Sequence, residues 1–136
     1  TEELTGEGAV NGHKEALIDG NLNTFWHSQW DGEGKNPPLP HIIIFDMQQT
    51  QNILSIELAR RQNNLDLKAV MFSISDDKEN WTELGKLDFP NDKVPNAQII
   101  LLPKAISGRY FRTTVTDSNN GVNASIAEIM FTMGKK

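Results

Sequence analysis

An all-β fold, sandwich or barrel, is what this sequence predicts, and three observations carry the prediction. From His41 onward, seven runs rich in β-branched and aromatic residues recur at short intervals, at 41–47, 53–60, 68–75, 81–88, 97–102, 108–116 and 126–133. Several alternate with period two: Leu54, Ile56 and Leu58 against Ser55 and Glu57; Val70, Phe72 and Ile74 against Ser73 and Ser75; Ile129, Phe131 and Met133 against Glu128 and Thr132. Such alternation sends one face inward and the other to water. Between the runs stand turn formers: Asn63-Asn64, Asp76-Asp77, Pro90-Asn91-Asp92, Pro95-Asn96, Pro103 and Asn119-Asn120-Gly121. Long helices have no room.

The first forty residues read differently. Gly6, Gly8, Gly12, Gly20, Gly32, Gly34, Pro37, Pro38 and Pro40 interrupt any extended pattern, and only His13 to Ile18 has space for a helical turn or two before Asp19-Gly20 stops it. An ordered loop is expected, because Leu17, Ile18, Leu22, Phe25, Trp26 and Trp30 supply apolar anchors that a flexible linker lacks. Trp26 is expected in the core, Trp30 exposed, and Trp81 packed at a strand start. Gly134-Lys135-Lys136 reads as a frayed end.

The 136 residues suit one domain, 1–136, with 38% hydrophobic and 23% charged residues. These residues are expected to form one core and not the several of a multidomain enzyme. The net charge is −5, which leaves no global electrostatic footprint for nucleic acid or an anionic membrane. No cysteine is present, which removes disulfides, thiolate metal sites and a thiol nucleophile together. No apolar run approaches a membrane span, and Thr1-Glu2-Glu3-Leu4 has no basic or apolar leader region, so any export signal is expected to lie outside this chain.

The densest oxygen-bearing cluster, Asp19-Gly20-Asn21-Leu22-Asn23-Thr24, suggests calcium, which takes six to eight oxygen ligands. The EF-hand template fails, since Thr24 stands where glycine is required and Trp30 where the closing glutamate belongs. Either an acid from elsewhere closes a tight non-EF loop, or Asp19 and Asn21 simply make side-chain-to-backbone turns. Enzyme signatures are missing: His13, His27 and His41 form no zinc pair, and there is no nucleophile elbow or phosphate-cradling glycine loop. Arg60-Arg61-Gln62-Asn63-Asn64 concentrates guanidinium and amide groups suited to vicinal hydroxyls, or forms a solvated hairpin loop. His27 lies between Trp26 and Ser28 with Trp30 following, an aromatic and polar mixture that suits a sugar.

Several stretches together resemble the discoidin or coagulation factor V/VIII type C domain, in particular its bacterial branch, the family-32 carbohydrate-binding modules. They are Ala16-Leu17-Ile18-Asp19-Gly20-Asn21 with Thr24-Phe25-Trp26-His27-Ser28, Pro40 to Asp46, Arg61-Gln62, Ser75-Asp76-Asp77 with Asn80-Trp81, Gly108-Arg109-Tyr110-Phe111-Arg112, and Ala124 to Ile129, in the family's order from about residue 15 to 133. The resemblance implies a galactose-binding-like jelly-roll β-sandwich. It also implies a structural calcium held by the carbonyls of Ala16 and Asn21, the Asp19 carboxylate, both oxygens of Thr24, the Ala127 carbonyl and the Glu128 carboxylate. Sugar contacts carry over to His27, Arg61 and Asn64, with Asn63 as the alternative register. The late loop, where such modules often carry an aromatic platform, offers Val122, so stacking falls to Trp30.

The expected function is therefore a non-catalytic module binding a galactose- or N-acetylhexosamine-type glycan, one part of a larger secreted, periplasmic or cell-surface bacterial protein. A shallow loop site of this kind delivers a Kd on the order of 0.1–1 mM, raised in effect by tethering. The alternative is a protein-interaction or spacer module that keeps the fold and the calcium site without the sugar pocket. Lipid binding requires basic and apolar spikes that the polar loops and negative charge do not supply.

Overall fold

In the computed structural model, residues 12, 14–29, 36–61, 66–90 and 95–134 are described. Trp30, Gln62, Asn63, Asn64, His13, the Asn91-Asp92 turn and Lys135-Lys136 lie outside them. The strands are β1 (Trp26–His27), β2 (His41–Ala59), β3 (Leu67–Ser75), β4 (Thr82–Asp88), β5 (Ala97–Ser118), β6 (Ser125–Ile126) and β7 (Glu128–Gly134), preceded by a 3₁₀ turn, η1 (Lys14–Ile18). All strand pairs are antiparallel, with order β4-β3-β5-β2-β7 in the main sheet and β1-β6 as a separate pair. The jelly-roll sandwich that the sequence predicts is present.

The seven runs are not seven strands. Runs 41–47 and 53–60 are the two halves of β2, and runs 97–102 and 108–116 the two halves of β5. Both strands pass from one layer of the sandwich to the other, which the intervening polar residues and Pro103 permit without breaking the extended chain. One layer pairs the first half of β2 with the second half of β5, then β3 and β4, as in Ile43↔Thr113 and Phe72↔Thr113. The other pairs the second half of β2 with the first half of β5 and with β7, as in Ile56↔Ile100 and Ile56↔Phe131. The register shifts between Asp46/Gln51 and Ile53/Ser55 mark the crossing, where Gln48 takes φ 72 and donates its N–H to Asp46 Oδ1. The second shift explains a departure from simple alternation: Ile53, Ile56 and Leu58 are buried, while Leu54 turns out to solvent. Met133 is likewise exposed near the end of β7.

The layers meet through aromatic rings. Phe111 of β5 stands edge-on to Phe131 of β7 at 4.5 Å between centroids and stacks on Phe72 of β3 at 5.4 Å. Fully burying such a side chain contributes about 1.5–3 kcal/mol, so this cluster holds the sandwich together. Packing there is tight enough to need glycine at 108, where a Cβ would lie 2.4 Å from Ile74 Cγ1. Leu17, Phe25 and Trp26 dock the early segment onto the core, as expected, but Ile18 and Leu22 are exposed and anchor nothing. Trp81 is half-buried, with the Arg112 guanidinium over its ring at 4.2 Å.

Candidate functional site

Two polar clusters tie the early segment to the late loop and β7. The first is built on the sequence 19–24. Asp19 Oδ1 accepts the Asn21 N–H at 2.9 Å, and its Oδ2 accepts the Thr24 hydroxyl at 2.5 Å. The Asn21 carbonyl accepts the Thr24 N–H, and the Asn21 side chain caps the Asn23 N–H at 2.9 Å. These are the local turns that short polar side chains make. Gly20, at φ 75, aims its N–H at Glu128 Oε1 at 3.2 Å across 108 positions; no side chain crowds it, so the backbone conformation is what requires glycine.

Glu128 brings a second carboxyl to this loop from the far end of the chain. Its carboxyl is pushed up to about 7, by burial first and then by the charge of Asp19 facing it. Burial also raises Asp19, but the bonds from Thr24 and Asn21 outweigh it and hold that carboxyl below its usual range. Glu128 is 3% exposed, and its Oε2 has no hydrogen-bond partner among the described residues. Ala127 precedes it, buried, with its N–H on the Ala59 carbonyl at 2.9 Å. Ala16 is buried in η1, which packs against β7. The Asp19 and Glu128 carboxyls face each other, one of them with an orphaned buried oxygen, and the Asn21 carbonyl lies beside Thr24; these are oxygen donors, the kind a hard cation takes, although only two of them are acids.

The second cluster centres on His27. Strands β1 and β6 place His27 opposite Ser125. Asp66, just before β3, bonds Ser125 twice through Oδ1, from the N–H at 2.9 Å and from the hydroxyl at 2.8 Å. Its Oδ2 lies 3.8 Å from His27 Nε2, while His27 Nδ1 donates to the Ser28 carbonyl at 2.5 Å. Burial raises the Asp66 carboxyl, and Ser125, His27 and Arg61 oppose that rise. Arg61 rests its guanidinium on the Phe25 ring at 3.7 Å. His27 thus faces the Asp66 carboxylate, and Arg61 lies against Phe25, two positions before His27, with its charge also felt by that carboxylate.

The late loop closes the cluster. The Ala124 carbonyl accepts the Ser28 N–H at 2.9 Å, and the Ser28 hydroxyl accepts the Ala124 N–H at 3.0 Å. The Val122 carbonyl accepts a hydrogen bond from Nε2 of buried His41, which stands edge-on to Trp26. Val122 itself is half-buried and aliphatic, and Phe25 is buried under Arg61, so neither offers an open aromatic face. Arg60 departs from the reading of its loop as a solvated recognition surface: it is buried, with its guanidinium 4.6 Å over Phe89 and bonded to Asn96. A separate cleft of about 210 Å³ lies between η1 and β2, lined by Lys14, Glu15, Ile18 and residues 43–46. None of the candidate cation or sugar residues lines it.

Residues 2–129 match the F5/8 type C domain family. The chain belongs to that family. This F5/8 type C domain is 37% identical to the C-terminal domain of a chitobiase from Bacteroides fragilis, over 99% of this chain and 91% of that one, with a TM-score of 0.78. It shares the fold of a family-32 carbohydrate-binding module of Clostridium perfringens solved with GalNAc-β-1,3-galactose, at TM-score 0.79 and 18% identity over 96% and 90% of the two chains. A sialidase of Micromonospora viridifaciens is 28% identical over 123 residues, which is 88% of this chain and 18% of the sialidase. The domain therefore spans under a fifth of that curated relative.

Sequence reasoning on this F5/8 type C domain missed Asp66, Ser125 and Phe25 as members of the His27 cluster. The signal available was weak: one acid at the start of an apolar strand, in a chain with 18 acids.

Proposed function

We propose that this domain is a non-catalytic carbohydrate-binding module that recognises a galactose- or N-acetylhexosamine-type glycan through His27 and Arg61 at one end of the sandwich. The observation that supports this reading is that Arg61, seated on Phe25, is brought beside the His27, Asp66 and Ser125 cluster from far along the chain, where the early and late loops meet. Directional donors and acceptors fixed on a rigid scaffold are what hydroxyl recognition needs. The domain's place within a protein such as the sialidase supports a role in delivering a larger, secreted or cell-surface protein to glycans, with binding and not chemistry as the contribution of this part. Trp30, Asn63 and Asn64 remain the proposed partners of His27 and Arg61, and Val122 the apolar wall.

The same reading assigns calcium to the first cluster. Asp19, Glu128, Thr24 and the carbonyls of Ala16, Asn21 and Ala127 would hold it, and the ion would supply charge that offsets the two facing carboxylates and pins the loop to β7. At a calcium concentration of 100 times Kd, such linkage contributes about 2.7 kcal/mol.

Titration of the folded domain with galactose and N-acetylgalactosamine, alongside a glycan array, tests the sugar reading. Saturable binding in the range of about 0.1–1 mM supports it. Flat responses at tens of millimolar sugar contradict it and leave the spacer or protein-interaction module as the outcome.

A further inference from the structure

We infer that Asp66 is a positioning residue of the sugar site, fixing the His27 ring so that Nε2 and Asp66 Oδ2 together address a single ligand hydroxyl. The inference rests on the carbohydrate-binding reading above and adds to it a residue and a chemical requirement.

A carbonyl oxygen only accepts, so Nδ1 of His27 carries the hydrogen in its bond to Ser28. Nε2 is then the one ring nitrogen left for a ligand, and it faces Asp66 Oδ2 across 3.8 Å. That gap is too long for a direct hydrogen bond. It is short enough for a third oxygen to stand at ~2.8 Å from both atoms. The carboxylate cannot swing away, because its Oδ1 holds both the N–H and the hydroxyl of Ser125, the residue paired with His27 across β1 and β6. The Asp66 carbonyl in turn accepts the Asn119 N–H at 2.8 Å, which ties the same residue to the late loop.

Exposure limits what can enter. The His27 and Asp66 side chains are 8% and 12% exposed, which leaves little surface for a ligand and suits a small group such as one hydroxyl better than a ring face. With one proton shared by the pair, on His27 Nε2 or on Asp66 Oδ2, a hydroxyl can accept from the atom that carries it while donating to the other. An ether or a methoxy oxygen has no hydrogen to give and is rejected. The read group is therefore a free hydroxyl, and selectivity against its O-methylated or deoxygenated analogue follows from leaving the pair unsatisfied.

The test combines Asp66→Asn with a panel of monodeoxygalactoses and with NMR of the His27 ring. Asparagine keeps an oxygen for both Ser125 bonds but turns an N–H group toward His27, so the variant folds while the pair is lost. The expected result is that Asp66→Asn binds galactose ~10- to 100-fold more weakly than wild type. One deoxygalactose that binds wild type poorly should then bind the variant about as well as galactose does, the signature of coupling between that hydroxyl and Asp66. In sugar-free protein the His27 ring resonances should shift in Asp66→Asn, while those of His41 stay in place. Three outcomes overturn the inference: wild-type affinity in the variant, loss of affinity with every deoxy penalty unchanged, or a His27 ring insensitive to the substitution. Wild-type protein that binds neither galactose nor N-acetylgalactosamine overturns the carbohydrate reading along with it, which separates the two failures.

Discussion

Calcium binding by this domain should weaken on the order of 100-fold from pH 8 to pH 5, and the Glu128 carboxyl is the reason. That group is pushed up to about 7 by burial and by Asp19, so it holds a proton at pH 5 in all but roughly one molecule in a hundred, and has released it in most molecules at pH 8. A cation needs the carboxylate, so binding expels the proton. Asp19, held below its usual range, stays charged throughout and adds no pH dependence of its own in this window. The stability of chelator-treated protein should move oppositely. The folded value lies above the ordinary 4.5, so Glu128 contributes stability that is fully present below about 4.5 and lost as pH rises through about 7. The full loss is about 3 kcal/mol, equivalent to ~10 °C in Tm for a domain of this size. Titration calorimetry in buffers of different ionisation enthalpy counts the released proton, and melts with calcium or chelator at pH 5 and 8 give the stability. Equal calcium affinity at both pH values, with no proton released, would refute the reasoning. Glu128→Gln should abolish both the calcium shift and the pH dependence.

Phe111→Ala removes the ring that joins Phe72 to Phe131 and should cost about 3–5 kcal/mol, measured by urea unfolding. Gly108→Ala drives a Cβ into Ile74 and should cost about 1–3 kcal/mol, with unchanged values counting against the described packing. His27→Ala and Arg61→Ala should each leave a folded domain and weaken galactose binding by at least ~10-fold, while Arg60→Ala, which removes a buried guanidinium, should lower Tm, as differential scanning calorimetry would show.

Much of the sandwich was legible because period-two alternation marks the inward residues, and Val70, Phe72 and Ile74 are buried as it predicts, whereas Ser73 and Ser75, which it sends to water, are buried too, Ser75 holding the turn that follows β3. Strand count was not legible. A residue such as Gln48 reads as a loop, yet the chain there only kinks through φ 72 and continues from one layer to the other. Leu54 was misplaced for the same reason, since a bulge reverses the inward phase and a periodicity cannot announce one. The local turns at Asp19 and Asn21 were readable from residue type. Their meeting with Glu128 was not readable from spacing and came from resemblance. Asp66 lay beyond both routes, because its meaning depends on Ser125, 59 positions away and brought close only by the β1-β6 pair.

Amide and side-chain NMR during a galactose titration is the decisive check on the proposal that His27 and Arg61 form one hydroxyl-reading site. Saturable shifts are expected at His27, Ser28, Arg61, Asp66 and residues 122–125, with η1 and the outer faces of the sheets undisturbed. Shifts that saturate elsewhere, for example in the cleft between η1 and β2, would contradict it.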